Sequence, residues 1–530
     1  MQDRAVSNHS IRSLGPRKKL VIFADGTGAA FSSQESNVWR LYQALDKSEG
    51  PDRVLQLARY IPGVGTSSVR VIRVLDGATG FGVPANVRKL YRFLCWNWQV
   101  GDQIHLIGFS RGSFTVRTLA GLVASQGLMP RDVTSAEMDR NALGAWWAYR
   151  AEAAPLFKDG RLRMNPLISV ARGLRDALTW AKRKILGQPT HREVQASLPR
   201  ARQPGTVKIR FMGVFDTVEA YGLPVKELLH LVDVLIWPLH FRNWRCSPVV
   251  RTVRHALALD EERRSFVPLR FDQGPRPDGK PGPQIDERWF AGVHSDVGGG
   301  YANDENAYQA LLWMADEARG LLDFDDMALG RYRAQLFPQA LIHNSRAGLA
   351  MFYRYGPREV EGGTIHGGPP VVDVSVVRKI REGADGYAPL TLPEEFRVAT
   401  DTVLGPQVQG GLRRDAEVAA RVARLIKWRT ATNWITILSV VWLVASPLVT
   451  LFGACRAGPD GGALDCAATV LLGAATALPG EVMRNWHLYL APALLLAAMV
   501  AVNGTLESRI KDASRALWMP RPLQSPYGDR

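Results

Sequence analysis

Hydrophobic and polar positions change period several times along the chain before long apolar runs take over near its end. Lys19 to Ala24 is a short, nearly unbroken apolar run, the pattern of a strand buried on both faces. Val38 to Leu45 has helical spacing, and Ala85 to Trp98 predicts an amphipathic helix. Asp102 to Ile107 again reads as a buried strand. The helix predicted after it, Ser113 to Val123, carries Phe114, Leu119, Leu122 and Val123 on one approximate face. Val207 to Phe215 and the shorter Arg288 to Val293 complete the strands, while Val253 to Asp260, around His255, has a helical pattern. Elements alternating in this way predict an α/β fold, a mostly parallel sheet covered by helices.

The apolar runs near the end are of a different kind. Trp434 to Cys455 contains no charged residue and is long enough to cross a bilayer core of about 30 Å as a helix. Trp486 to Asn503 is a second such run, and Ala467 to Pro479 between them is too short to span, so it reads as interfacial or re-entrant. Lys427 and Arg429 precede the first run, and Arg509, Lys511 and Arg515 follow the second. Basic flanks on both outer sides predict an apolar helical hairpin whose ends, and with them both chain termini, lie on the cytoplasmic side in the producing cell. Two buried core helices are the competing reading, because Pro447, Pro492 and several glycines also suit a soluble core.

These shifts divide the chain into a basic segment 1–17, an α/β domain 18–400, a helical linker 401–432, the hairpin 433–510 and a tail 511–530. A basic insertion at about 140–205 interrupts the domain and ends in Pro199 to Gly205, as a lid or peripheral arm would. Leu228 to Phe241 reads as a core helix or a membrane-facing lid. Met1 to Lys19 lacks the apolar core of a cleavable secretory signal. A net charge of +16 calls for an anionic partner. Basic residues gather at Arg12 to Lys19, Arg172 to Arg192 and Arg413 to Arg429 without aromatic interleaving or any nucleic-acid-binding signature, which favours lipid headgroups over nucleic acid. The four cysteines lack metal-ligand spacing, and only Cys455 and Cys466 lie close enough in sequence to suggest a pair.

Gly108-Phe109-Ser110-Arg111-Gly112 stands at a predicted strand-to-helix junction. A serine between glycines there sits on a crowded turn that lifts its hydroxyl above the sheet edge, where an acyl-transfer nucleophile belongs. Such a hydroxyl needs an imidazole to take its proton and an acid to orient that imidazole. Among ten histidines His294 fits, at the end of a predicted strand and the start of the glycine-dense loop His294 to Tyr301. His105 packs inside a strand, and His255 makes a structural contact. Asp216 ends the strand Ile209 to Phe215, giving the chain order Ser110, Asp216, His294; Asp296 is the rival acid. Oxyanion donors are expected from the backbone of Arg111 and from Gly26 and Thr27 after the first strand. An apolar strand ending in Asp25-Gly26-Thr27 also suits phosphate-transferring dehalogenase-type enzymes, but Phe23 occupies the place of their nucleophilic aspartate.

Taken together, Phe23 to Thr27, Tyr60 to Thr66, Gly108 to Gly112, Gly213 to Thr217, His255 to Asp260 and Trp289 to Tyr301 resemble the DUF2235 proteins, which include phospholipase effectors of the bacterial type VI secretion system. The resemblance runs over about residues 18–315 and implies an alpha/beta-hydrolase-like fold, a triad of Ser110, Asp216 and His294, and lipid-ester hydrolysis without metal or organic cofactor. It further implies membrane phospholipids as substrate, with a secretion spike protein or adaptor and a cognate immunity protein as partners, and delivery to a recipient cell's periplasm or membrane. Gly28-Ala29-Ala30 departs from the family where an asparagine is expected, and the apolar hairpin lies outside the resemblance. The residues also suit an esterase on a soluble or non-lipid ester, and the hairpin alone would suit a membrane-anchored scaffold or pore-former.

Overall fold

The computed structural model describes residues 18–26, 35–48, 50, 53–63, 82–153, 157–158, 161–162, isolated positions between 177 and 199, 207–218, 245–275, 279, 281–337, 339–360, 369–383, 386–399, 412–456 and 483–520. Thr27, the Gly28-Ala29-Ala30 run, most of the expected insertion, Leu228 to Phe241, Ala467 to Pro479 and Cys466 lie outside these residues.

Eight strands form one sheet: β1 (Lys19–Ala24), β2 (Gln56–Ile61), β3 (Gln103–Phe109), β4 (Ile209–Phe215), β5 (Val250–Ala258), β6 (Gln284–Phe290), β7 (Val371–Asp373) and β8 (Arg397–Ala399). Their spatial order is β8-β7-β6-β5-β4-β3-β1-β2, and every neighbouring pair is parallel. The chain therefore reverses direction across the sheet between β1 and β3. In open α/β sheets the crevice outside the carboxyl ends of the strands at such a reversal is where ligands bind.

Both faces are covered, as the period-2 alternation within β1 requires. Leu20 and Ile22 pack with α2 (Gly82–Asn97), α3 (Arg111–Gln126) and α4 (Ser135–Ala153), through residues such as Leu90, Leu119 and Trp146. Val21 and Phe23 point the other way, onto Val38 and Leu41 of α1 (Asn37–Ala44) and the layer that Leu311 and Trp313 share. The last two belong to α6 (Ala307–Ala318), which follows a short helix α5 (His294–Gly298), while α7 (Asp326–Ala334) and α8 (Val374–Glu382) complete the covering.

Two local expectations are corrected. The segment around His255 is strand β5, not a helix. It lies between β4 and β6 and buries Val253, Ala256, Leu257 and Ala258, so its apolar positions run together and imitate helical spacing. The strand expected at Arg288 to Val293 begins at Gln284 and ends at Phe290, because Gly292 turns the chain with φ +120°.

Beyond β8 the chain enters strand β9 (Leu412–Arg414), runs through α9 (Ala416–Arg456), returns along α10 (Trp486–Ser514) and closes on β10 (Trp518–Pro520), which pairs antiparallel with β9. Helix α9 covers both the end of the expected linker and the first apolar run. The two helices are clasped where Thr432 donates to Asn503 Oδ1 (2.6 Å) and Asn503 donates to Thr436 Oγ1 (3.0 Å). Their roots are fixed to the domain: Asn433 accepts the Tyr355 N–H (2.7 Å), and Leu412, Leu517 and Trp518 join the cluster of Val372 and Val376. Farther out the described helix positions face solvent, with Leu438 60% and Leu494 61% exposed. Among the described residues one helix, α10, is long and apolar enough to cross a membrane.

Candidate active site

Strand β3 delivers Ser110 to the carboxyl edge at the reversal point. Ser110 adopts φ 56°, ψ −123°, a conformation that costs a non-glycine residue about 1–3 kcal/mol, and α3 begins at the next residue. The turn is held by the Ser110 N–H, which donates to Phe215 O (2.9 Å), and by Ser113 Oγ, which donates to the same carbonyl (3.0 Å). Its glycines answer to crowding. A Cβ on Gly108 would come within 2.7 Å of the Ser113 backbone, and one on Gly112 within 2.0 Å of Ala24 O. The sequence signature thus corresponds to a helix start wedged against β1 with a serine at its tip.

Asp216 follows β4, also at positive φ (38°), and His294 opens α5 just after β6. His294 Nε2 lies 2.8 Å from Ser110 Oγ, and its Nδ1 is hydrogen-bonded to Asp216 Oδ2. The Ala258 N–H donates to the other oxygen of Asp216 at 3.0 Å. An ionised carboxylate only accepts, so the proton of neutral His294 resides on Nδ1 and Nε2 is left to accept from the serine hydroxyl. The three side chains are buried. Phe109 and Phe266 flank the imidazole, with ring centroids at 4.8 and 5.1 Å. Burial lowers the pKa of His294, with Asp216 opposing, which keeps the ring a neutral base. Burial by itself would raise Asp216, but the Arg358 guanidinium and then His294 outweigh it and hold this carboxyl well below the ordinary range.

The rival acid is engaged elsewhere. Asp296 Oδ2 accepts the N–H groups of Val293 (2.9 Å) and His343 (3.2 Å), and its Oδ1 lies 2.6 Å from His343 Nδ1. It caps its own short helix and ties that helix to the His343 segment. Glu261 does similar work from the other side, accepting the His294 N–H (3.2 Å), the Ser345 hydroxyl (2.8 Å) and Arg263 (2.8 and 2.9 Å). Burial raises its carboxyl, Arg263 overcomes that, and it settles at about 2.

Of the expected oxyanion donors, Arg111 directly follows the nucleophile at the start of α3. Gly26 passes close over it: a Cβ there would sit 2.7 Å from the Phe109 ring and 3.3 Å from Ser110 Cβ. In this conformation the Gly26 N–H donates to Asp25 Oδ1 (2.6 Å). Asp25 also accepts from Ser36 Oγ (2.5 Å) and Tyr60 OH (2.7 Å), and burial raises its carboxyl to about 6 against these three bonds. His255 supports the floor of the site, accepting the Thr217 N–H on Nε2 (3.2 Å) with Nδ1 2.9 Å from Glu287. His105 is fully buried inside β3.

Arg358, Glu261, Arg263 and His343 were not among the residues singled out from sequence. Glu261 adjoins the His255 to Asp260 stretch and was within reach of that signal; Arg358 and His343 stand in no motif.

The fold is that of an α/β protein, with its polar cluster at the sheet reversal. The chain belongs to the family of type VI secretion system phospholipase effectors of the Tle1-like kind, whose catalytic-domain model matches residues 18–317. It is 26% identical, over 287 residues, to an uncharacterized protein of Saccharomyces cerevisiae, a match that takes in 52% of this chain and 35% of the yeast protein. The chain thus spans about a third of that relative's length. A crystal structure of an uncharacterized protein from Pseudomonas aeruginosa aligns with 96% of this chain and 65% of its own at 16% identity, with a TM-score of 0.32, too loose a likeness to bear on the fold.

Proposed function

We propose that this protein is a serine lipid esterase that hydrolyses acyl esters of membrane phospholipids. The observation that carries the reading is the continuous hydrogen-bonded series Ser110, His294, Asp216 at the reversal point of the sheet. His294 Nε2 accepts the Ser110 proton as Oγ attacks the acyl carbonyl carbon, and Asp216 stabilises the imidazolium that forms. The negative oxygen of the tetrahedral intermediate meets the Arg111 N–H at the start of α3. Gly26 and Thr27 are the second source, and Gly26 serves only after its amide turns from Asp25 to the substrate. Collapse of the intermediate passes the His294 proton to the leaving lysolipid oxygen. Water, activated by the same imidazole, then frees the fatty acid from Ser110.

Membrane phospholipid as substrate is supported by family membership, by the net charge of +16 and by the exposed apolar side chains of the hairpin. The hairpin inserts and keeps the domain at the lipid surface, with the catalytic domain of residues 18–400 outside the bilayer. The enzyme acts as an antibacterial effector, carried by a spike protein or adaptor and neutralised in the producer by a cognate immunity protein. The deciding experiment is mass-spectrometric analysis of phospholipid vesicles after incubation with wild-type or Ser110→Ala protein. Fatty acid and lysolipid should appear with the wild type alone. Equal product from both proteins, or none from either against an active soluble-ester control, would refute the reading.

A further inference from the structure

The matched family segment ends at residue 317, yet the carboxylate proposed to orient His294 is held by a residue 41 positions farther on (358 minus 317). Arg358 is buried, and all five of its guanidinium N–H bonds have acceptors. Nη1 donates to Asp216 Oδ1 (2.6 Å) and Ala258 O (2.6 Å); Nη2 donates to Asp216 Oδ2 (2.7 Å) and Phe266 O (2.6 Å); Nε donates to Phe266 O (3.1 Å). The planar fork thus joins three things: both carboxylate oxygens, the end of β5, and the backbone of Phe266, whose ring lies against His294.

We propose that Arg358 is a positioning residue for the hydrolytic reaction, fixing the plane of Asp216 and setting the proton affinity of the Asp216–His294 pair. The inference rests on the Ser-His-Asp reading given above. The geometry favours it over a purely structural ion pair because Asp216 Oδ2 receives Arg358 Nη2 and His294 Nδ1 together, so any rotation of the carboxylate that relaxed one bond would strain the other. With Arg358 Nη1 and the Ala258 N–H on Oδ1, each oxygen has two donors and the carboxylate has a single orientation. A lysine at 358 would keep the charge but not the fork.

The charge has a second effect. Besides Arg358, the groups acting on the pair are Glu261 and Arg263, beside His294, and His255, beneath Asp216. Glu261 and Arg263 are bonded to each other and largely offset, and burial keeps His255 toward its neutral form, so Arg358 is the unbalanced cation. A cation there disfavours a proton on the pair. Removing it therefore moves the acid limb of activity to higher pH, whether the extra proton settles on His294 or on Asp216.

The test uses the full chain in detergent micelles, a soluble p-nitrophenyl ester and the rate of Ser110 labelling by a fluorophosphonate, both followed against pH. Arg358→Met should lose about a hundredfold in kcat with KM nearly unchanged, and its acid limb should rise by about one pH unit or more. Arg358→Lys should restore the limb while kcat stays at least about tenfold down. A folded Arg358→Met protein with wild-type kcat and acid limb overturns the inference. Should that variant not fold, Arg358→Lys alone decides: a tenfold loss with the limb in place supports the inference, and a wild-type kcat overturns it. Ser110→Ala, assayed alongside, separates the two readings. If it is inactive while the Arg358 variants behave as wild type, only the role of Arg358 fails; if it stays active, the Ser-His-Asp reading itself fails.

Discussion

Arg429, at the root of the hairpin, donates to Glu262 (3.2 Å), the immediate neighbour of the carboxylate that receives the His294 N–H. The same guanidinium reaches Glu507 on the returning helix (2.5 Å) and lies over the Tyr355 ring at 4.2 Å. One side chain therefore ties both helices of the hairpin to the segment beside the imidazole.

Arg429→Met should destabilise the fold by about 2 kcal/mol. That is less than the 3–5 kcal/mol typical of breaking a wholly buried pair, because Glu507 is 43% exposed and water screens its part. The urea midpoint of the purified protein checks it. An unchanged midpoint would mean that the hairpin root is held without the Arg429 ion pairs.

The two candidate acids separate by turnover. Asp216→Asn presents an amide to His294 Nδ1, favours the wrong tautomer and should lower kcat about 10⁴-fold. Asp296→Asn keeps an acceptor toward Val293 and His343 and should cost about tenfold or less. Steady-state kinetics on a soluble ester, with circular dichroism to show folding, gives the ranking; the reverse order would move the acid role to Asp296.

Much of this site was legible because its residues follow strands directly. Ser110, Asp216 and His294 each stand within a few residues of the carboxyl end of a strand, and short apolar runs closed by glycine or aspartate are the clearest signal a parallel sheet leaves. The His255 segment was misread because a strand buried on both faces loses the alternation that distinguishes it from a helix. Arg358 left no trace. Its five bonds go to a distant carboxylate and to backbone carbonyls, and no local spacing encodes such partners. The hairpin's existence could be read from hydropathy, but not the anchoring of its root by Asn433 and Arg429, which are ordinary polar residues in the sequence.

The contribution of Asp260 to stability should fall as pH rises from about 4 to about 7, opposite in sign to that of His105, which burial lowers to about 3. Burial raises this carboxyl to about 7 even though it accepts from the Gly292 N–H and Tyr387 OH. In that window the unfolded chain has released this proton while the folded chain still holds it, so the contribution of this one group shrinks with each step up in pH. Asp25, raised to about 6, acts in the same sense over the lower part of the window. Asp260→Asn should therefore raise Tm relative to wild type at about pH 8 and by much less at about pH 5. Equal shifts at the two pH values would show that Asp260 ionises as an ordinary carboxylate.

Charging the outer faces of the hairpin should separate chemistry from location. Leu438→Glu, Trp442→Glu and Leu494→Glu together place carboxylates on exposed apolar positions remote from Ser110. Hydrolysis of bilayer lipid should drop far more than hydrolysis of a soluble ester, and vesicle flotation should show less bound protein. Parallel losses on both substrates would mean that the hairpin supports the domain and not its placement.

The pairing of β9 with β10 brings the chain back to the point from which it left. An excursion clipped at its root hands the chain back where it took it, with Leu412 opposite Pro520 and Arg414 opposite Trp518. Arg414, donating to Leu390 O (2.8 Å), and Trp518, donating to Pro389 O (3.0 Å), grip the domain at the strands themselves, and Arg429 and Asn433 grip it farther along α9. Both ends of the helical pair are thereby joined to the domain at one place, beside the segment around Glu261.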